Sequence, residues 1–180
     1  MSEEQVLSSR LIFSGRIVRL RVDTIRLPDG CETTMEIIEH DDCVAVIPVD
    51  AGNNVVLVEQ FRLPTGKALL EIPAGGVEVG ENTEKAVCRE LREEIGYLPR
   101  KVTRLGGFYS SPGFCTEYLH LYLATDLTPS RLHAEDTEEI KVVRVPVSEI
   151  SDLIASERIC DSKSIAGLLY FLKYCSPDLS

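Results

Sequence analysis

The chain has 180 residues, 44% hydrophobic and 27% charged, with a formal net charge of −10 and six scattered cysteines. That length suits one domain with a sizeable core, and the balance of residue types is that of an ordinary globular chain. The acidic charge excludes a broad nucleic-acid footprint, which needs clustered Lys and Arg, and implies that a phosphate-bearing substrate would be met through a metal cation.

No apolar stretch, "CVAVIPV" included, approaches a membrane span in length. The acidic, polar start "MSEEQVLSSR" lacks the character of a signal or transit peptide, so a cytoplasmic location is expected. Cys31, Cys43, Cys88, Cys115, Cys160 and Cys175 form no CxxC pair and no Cys/His cluster. Neither a zinc site nor a disulfide framework is expected, and most of them read as small core residues.

From Leu11 to Glu39 the chain alternates around the turn signal "LPDG" at 27–30, which predicts a meander or hairpin. Residues 1–39 are expected to form an N-terminal β arm on a main domain over 40–180. "CVAVIPV" at 43–49 and "NVVLVEQFR" at 54–62 read as strands joined by the turn "DAGNN", and "ALLEIPAGG" at 68–76 as a third. A helix follows, N-capped by Asn82 or Thr83 and stopped by Gly96, with Ala86, Val87, Leu91 and Ile95 at helical intervals. "KVTRLGGFYSS" and "EYLHLYLATDL" are further strands around the loop "SPGFCT". An acidic loop precedes the strand "IKVVRVPV", and "VSEISDLIASERI" and "DSKSIAGLLYFLKYC" are amphipathic helices. This order predicts a mixed α and β protein, an α/β/α sandwich.

"RELREEIG", residues 89–96, holds the most informative pattern. Glu90, Glu93 and Glu94 lie at i, i+3 and i+4, on one helix face, where like charges repel by a few tenths of a kcal/mol per pair. They also sit toward the helix C-terminus, where the dipole disfavours anions. A hard divalent cation such as Mg²⁺ or Mn²⁺ would turn that repulsion into coordination. The competing reading is a solvated charged face with Arg89 and Arg92 as partners.

The stretch resembles the Nudix hydrolase signature. Gly75, Glu81, Arg89, Glu90, Leu91, Glu93, Glu94 and Gly96 stand at its fixed positions, and Tyr97 replaces the usual aliphatic at the end of this 75–97 box. The resemblance implies the Nudix fold, an α/β/α sandwich with mixed β-sheets, and hydrolysis of a nucleoside diphosphate linked to another moiety. It also implies that Glu90 and Glu94 ligate Mg²⁺ (Mn²⁺ substituting), that Glu93 supports or joins them, and that the Ala74 carbonyl ligates. Gly75, Glu81, Arg89 and Gly96 would be structural residues of the box, with Glu81 and Arg89 paired.

Similarity to the ADP-ribose pyrophosphatase subgroup extends further, from about His40 to Leu172. Pro112, sixteen residues after Gly96, resembles that subgroup's marker proline, although "SPG" also reads as an ordinary turn. Gln60, Arg62 and Glu71 match residues near its substrate cleft. Glu71, in a run of Leu and Ile, needs a partner, either an adenine amino group or Arg62. Glu138 is the expected catalytic base or extra metal ligand, with Glu135, Asp136 and Glu139 as alternatives. His40, His120 and His133 read as non-catalytic. The expected substrate is ADP-ribose or a related nucleoside-diphosphate sugar, with GDP-mannose as an alternative and a non-hydrolytic nucleotide sensor as a different class. Expected partners are the small-molecule substrate and a second copy, in a homodimer with exchanged N-terminal strands, and neither nucleic acid nor membrane.

Overall fold

The computed structural model describes residues 4–133 and 139–176. These fall into two compact units, one from the N-terminal segment up to Asp42 together with Tyr109–Tyr118, the other from Cys43–Phe108 with Leu119 onward. The 109–118 loop groups with the N-terminal segment. Among the described residues no helix is long and apolar enough to cross a membrane.

The first unit is a three-stranded antiparallel sheet of β1 (Gln5–Ser14), β2 (Val18–Arg26) and β3 (Glu32–His40) in that order. Its first strand begins at Gln5, earlier than the apolar pattern suggests, because backbone pairing with β2 runs from Gln5↔Arg26 to Ser14↔Arg19 whatever the side chains. Every residue of β1 is exposed. The 109–118 segment is tied to β3 by hydrogen bonds from Ile38 N–H to the Phe114 carbonyl and from Thr116 N–H to the Ile38 carbonyl.

The second unit contains two sheets. One runs β10 (Lys141–Pro146), β5 (Asn54–Arg62), β6 (Lys67–Glu71), and the other β7 (Ala74–Gly76), β4 (Cys43–Pro48), β9 (Tyr118–Pro129), β8 (Tyr97–Tyr109). The β4–β9 pair is parallel and β4–β7 antiparallel, so the sheet is mixed. Strand β4 is wholly buried. Its Val44 and Val46 pack with Ala86, Val87 and Leu91 of α1 (Thr83–Glu94), while Ala45 and Ile47 pack with Leu168 and Phe171 of α3 (Ser162–Tyr174) and Ile150 of α2 (Ile150–Ala155). Alternation along one strand therefore feeds a helix on each face, which produces the α/β/α layering.

Two elements depart from the sequence expectation. "ALLEIPAGG" is two strands in different sheets, broken at Ile72 and Pro73. Pro73 has no N–H to donate, and the Ile72 N–H turns away to the Ser164 hydroxyl at 2.8 Å. "VSEISDLIASERI" shortens to a 3₁₀ turn and the six-residue α2. Of the cysteines, all free, only Cys43 is buried; Cys31 and Cys160 are exposed.

Candidate active site

The short strand β7 and the helix α1 meet at the acidic face. Antiparallel pairing places Gly75 opposite Val44 and Ala74 opposite Ala45 of β4. The Asn82 side chain caps α1 by accepting from the Lys85 N–H at 2.8 Å. Gly96 ends it at φ +77°, a left-handed conformation that glycine adopts without strain.

Glu90 and Glu94 are only 8% and 6% exposed, so the acidic face is not a solvated one. Glu90 is accommodated by the absence of a side chain at Gly75, where a Cβ would lie 2.1 Å from its carboxyl carbon. Glu94 Oε2 accepts from the Ala74 N–H at 3.2 Å. Burial, reinforced by the charge of Glu90, pushes the Glu94 carboxyl up to about 8 against this hydrogen bond and the more distant charges of Arg62 and Lys163.

Arg89 is the hub of the face. Its Nε and Nη2 donate to the two oxygens of Glu81 at 3.2 and 3.0 Å, and Nη2 donates to the Gly76 carbonyl at 2.8 Å. Its Nη1 donates to Glu90 at 2.6 Å and to Glu93 at 3.2 Å. The pairing with Glu81 above all raises the Arg89 pKa and lowers that of Glu81. Arg92, the other cation expected on this face, donates instead to the Ser130 hydroxyl.

A cleft of about 300 Å³ opens over this face. Its lining comprises Gln60 and Arg62 from the end of β5, Ala74, Gly75 and Gly76 from β7, Arg89, Glu90, Glu93 and Glu94 from α1, and Ile140. Glu71 shares the strand face of Arg62, since Val58 pairs with Glu71 across β5–β6. Arg62 Nε and Nη2 donate to Glu71 Oε1 and Oε2 at 2.9 and 2.7 Å, a bidentate pair. Lys163 also donates to Glu71 Oε2. Burial opposes the charge on Glu71, yet Arg62 and Lys163 together hold its carboxyl below the ordinary value.

The structure thus brings together Gln60, Arg62, Ala74, Gly75, Arg89, Glu90, Glu93 and Glu94 around one cleft. Glu71 and Glu81 stand outside the lining, each bonded to an arginine that belongs to it. Pro112 opens a turn closed by the Phe114 and Cys115 N–H groups onto the Ser111 carbonyl, in the other unit. Glu135, Asp136 and Glu138 lie outside the described residues, and Glu139 is exposed. The sequence pattern does not single out Ile140, Asp161, Lys163 or Ser164. Lys163 carries a signal all the same: it occupies the first turn of α3, where the helix dipole disfavours a cation, so it needs an acidic partner.

A divalent cation fits this donor set. Glu90 and Glu94 are buried carboxylates on one helix face, burial and the neighbouring charge of Glu90 both disfavour ionisation of Glu94, and the missing side chain at Gly75 makes room for the Glu90 carboxyl. The oxygens are hard, which suits a hard cation rather than a thiophilic one.

Comparison with known proteins supplies the class. The NUDIX domain model matches residues 39–167, and the model of the nucleoside diphosphate sugar hydrolase N-terminal domain matches residues 4–34. The chain belongs to the Nudix hydrolase family. It is 35% identical to an ADP-ribose pyrophosphatase of Bacillus subtilis (strain 168), over 93% of this chain and 92% of that protein. It is 39% identical to a methanol dehydrogenase activator of Bacillus methanolicus, again over 93% and 92%. A crystal structure of an ADP compounds hydrolase superposes with a TM-score of 0.89 at 19% identity, covering 97% of this chain and 95% of that one, and so shares the fold.

Proposed function

We propose that this chain hydrolyses the pyrophosphate bond of ADP-ribose, or of a closely related nucleoside-diphosphate sugar, to a nucleoside monophosphate and a sugar phosphate, with Mg²⁺ as its cation and Mn²⁺ able to substitute. The observation that carries this reading is the pair of buried carboxylates, Glu90 and Glu94, facing a cleft that also presents Arg62. The curated ADP-ribose pyrophosphatase, similar over nearly the whole chain, supports the choice of substrate.

In this reading Glu90, Glu94, Glu93 and the Ala74 carbonyl hold the cation. When bound, it neutralises pyrophosphate charge and lowers the pKa of an attacking water. Arg89 orients the acidic face, anchored by Glu81 and by the Gly76 carbonyl. Arg62 donates to a phosphate through the N–H groups that Glu71 leaves unused, and Gln60 contributes a neutral amide. Glu71 acts through Arg62 rather than on the base. Glu138 takes the proton of the attacking water; it lies two residues before Ile140, which lines the cleft.

The working form in this reading is a homodimer with exchanged N-terminal strands. Its support is the exposed edge strand β1, with Leu11 and Phe13 each more than half exposed. A regulatory reading draws on the relative named as an activator, but a sensor would have no need of the full acidic set. The test is a hydrolysis panel of ADP-ribose, GDP-mannose and NADH with Mg²⁺, with products identified chromatographically. ADP-ribose should be the best substrate by kcat/KM, and no turnover of any of them would overturn the proposal.

A further inference from the structure

The N-terminus of α3 sits behind the cleft and holds a chain of alternating charges that ends in it. Asp161 caps α3 by accepting from the Ser164 N–H at 3.1 Å, and its same oxygen, Oδ2, accepts from Lys163 at 2.9 Å. Lys163 donates onward to Glu71, and Glu71 accepts both donors of the Arg62 fork. Glu71 is 1% exposed. Ser164 adds a second tie, accepting from the Ile72 N–H two residues before Ala74.

We infer that Lys163 is a positioning residue for the cleft: by sharing the Glu71 carboxylate it fixes the plane of the Arg62 guanidinium and leaves that cation incompletely neutralised toward a diphosphate. The effect is geometric. A carboxylate held by one arginine can rotate with it, whereas Glu71 Oε2 is fixed from a second direction by a group on a different element, 92 residues away in sequence. It is also electrostatic. A lone Arg62–Glu71 pair is a neutral unit and a poor phosphate ligand, while a carboxylate divided between two cations leaves part of the Arg62 charge for an anion in the cleft. Lys163 is not among the residues that line the cleft, and its hydrogen-bonded path to that lining runs through Glu71 to Arg62.

This inference rests on the proposed pyrophosphatase activity, and its test separates the two. Wild type, Lys163→Met, Lys163→Arg, Arg62→Ala and the Arg62→Ala/Lys163→Met double variant are assayed on ADP-ribose with Mg²⁺, alongside thermal melts. Loss of a charge-assisted hydrogen bond corresponds to about a tenfold change or more. Lys163→Met should therefore raise KM about tenfold with kcat little changed, Lys163→Arg should restore it, and the methionine should add nothing once Arg62 is gone. An unchanged KM, or an equal rise in the Arg62→Ala background, overturns the inference. So does a fall in kcat and melting temperature with KM intact, which would make the lysine merely structural. If Lys163→Met does not fold, Lys163→Gln takes its place. A wild type inert toward ADP-ribose, GDP-mannose and NADH alike would refute the functional proposal alone. The Arg62 Nε–H resonance in ¹⁵N NMR then decides: exchange broadening in Lys163→Met supports the positioning role, and an unaltered resonance refutes it.

Discussion

The carboxyl group of Glu90 occupies the space that a side chain at residue 75 would fill, 2.1 Å from where a Cβ would stand. The glycine that opens the box and the glutamate fifteen residues later are thus one structural unit: the missing methyl makes room for the carboxylate.

Gly75→Ala should therefore displace Glu90 without unfolding the protein, because what the new methyl meets is the far end of a flexible side chain. Turnover should fall about a hundredfold, as when one electrostatic contact to a transition state is lost. The melting temperature of the metal-free protein should move by no more than a few degrees. Parallel activity assays and thermal melts check both halves.

Glu94→Gln should separate stability from function. It removes a buried, repelled carboxylate, so the metal-free protein should be as stable as wild type or more so. Stabilisation by Mg²⁺ should shrink, and turnover should drop by about two orders of magnitude or more. A variant with wild-type rates would remove Glu94 from the metal face.

The same residue predicts a pH dependence. Its carboxyl titrates near 4.5 when unfolded and near 8 in the folded protein. Below the lower value both states are protonated and no penalty exists. Between the two, the unfolded chain loses a proton that the folded one keeps, so stability falls as pH rises, by at most about 1.4 kcal/mol per pH unit. Above the higher value the loss is complete. Denaturant titrations of metal-free protein from pH 5 to 9 should show this decline, flattened in Glu94→Gln. Calorimetry in buffers of different ionisation enthalpy should show proton release when Mg²⁺ binds near neutral pH.

Arg62→Ala should raise KM for ADP-ribose more than Glu138→Gln does, and Glu138→Gln should depress kcat more. The first removes a proposed binding contact and the second a proposed proton acceptor. Steady-state kinetics on both variants decides, and the opposite pattern would exchange their roles.

Much of this was readable in the sequence because it is local. The Asn82 cap, the Gly96 stop and the spacing of Glu90, Glu93 and Glu94 all lie within one helix, where sequence separation fixes geometry. The strand over 54–62 was equally plain, since an apolar run bounded by turn residues specifies its own ends. What was illegible depends on distant partners. The break at Ile72 and Pro73 is set partly by Ser164, the role of Glu71 by Lys163, and the depth of Glu94 by β7 packing across it. The early start of β1 was hidden for a related reason: backbone pairing, not its exposed side chains, makes it a strand.

The arm yields a further prediction. Val6, Leu11, Ile12, Phe13 and Ile17 are all exposed, more apolar surface on one edge than an isolated small sheet usually presents to water. Light scattering should give the mass of a dimer for the intact chain. Deleting residues 1–39 also strips β3 from the 109–118 segment. That protein should be monomeric or poorly soluble, keep Mg²⁺ binding, and lose affinity for ADP-ribose.

In the proposed function the buried glutamates of α1 serve metal-dependent cleavage of a pyrophosphate. It is tested most directly by incubating the full chain with ADP-ribose and following products by ³¹P NMR, with Mg²⁺, with a chelator, and with Glu94→Gln. AMP and ribose 5-phosphate should form in the first case and almost none in the other two. Equal cleavage in all three, or intact ADP-ribose throughout, would contradict it.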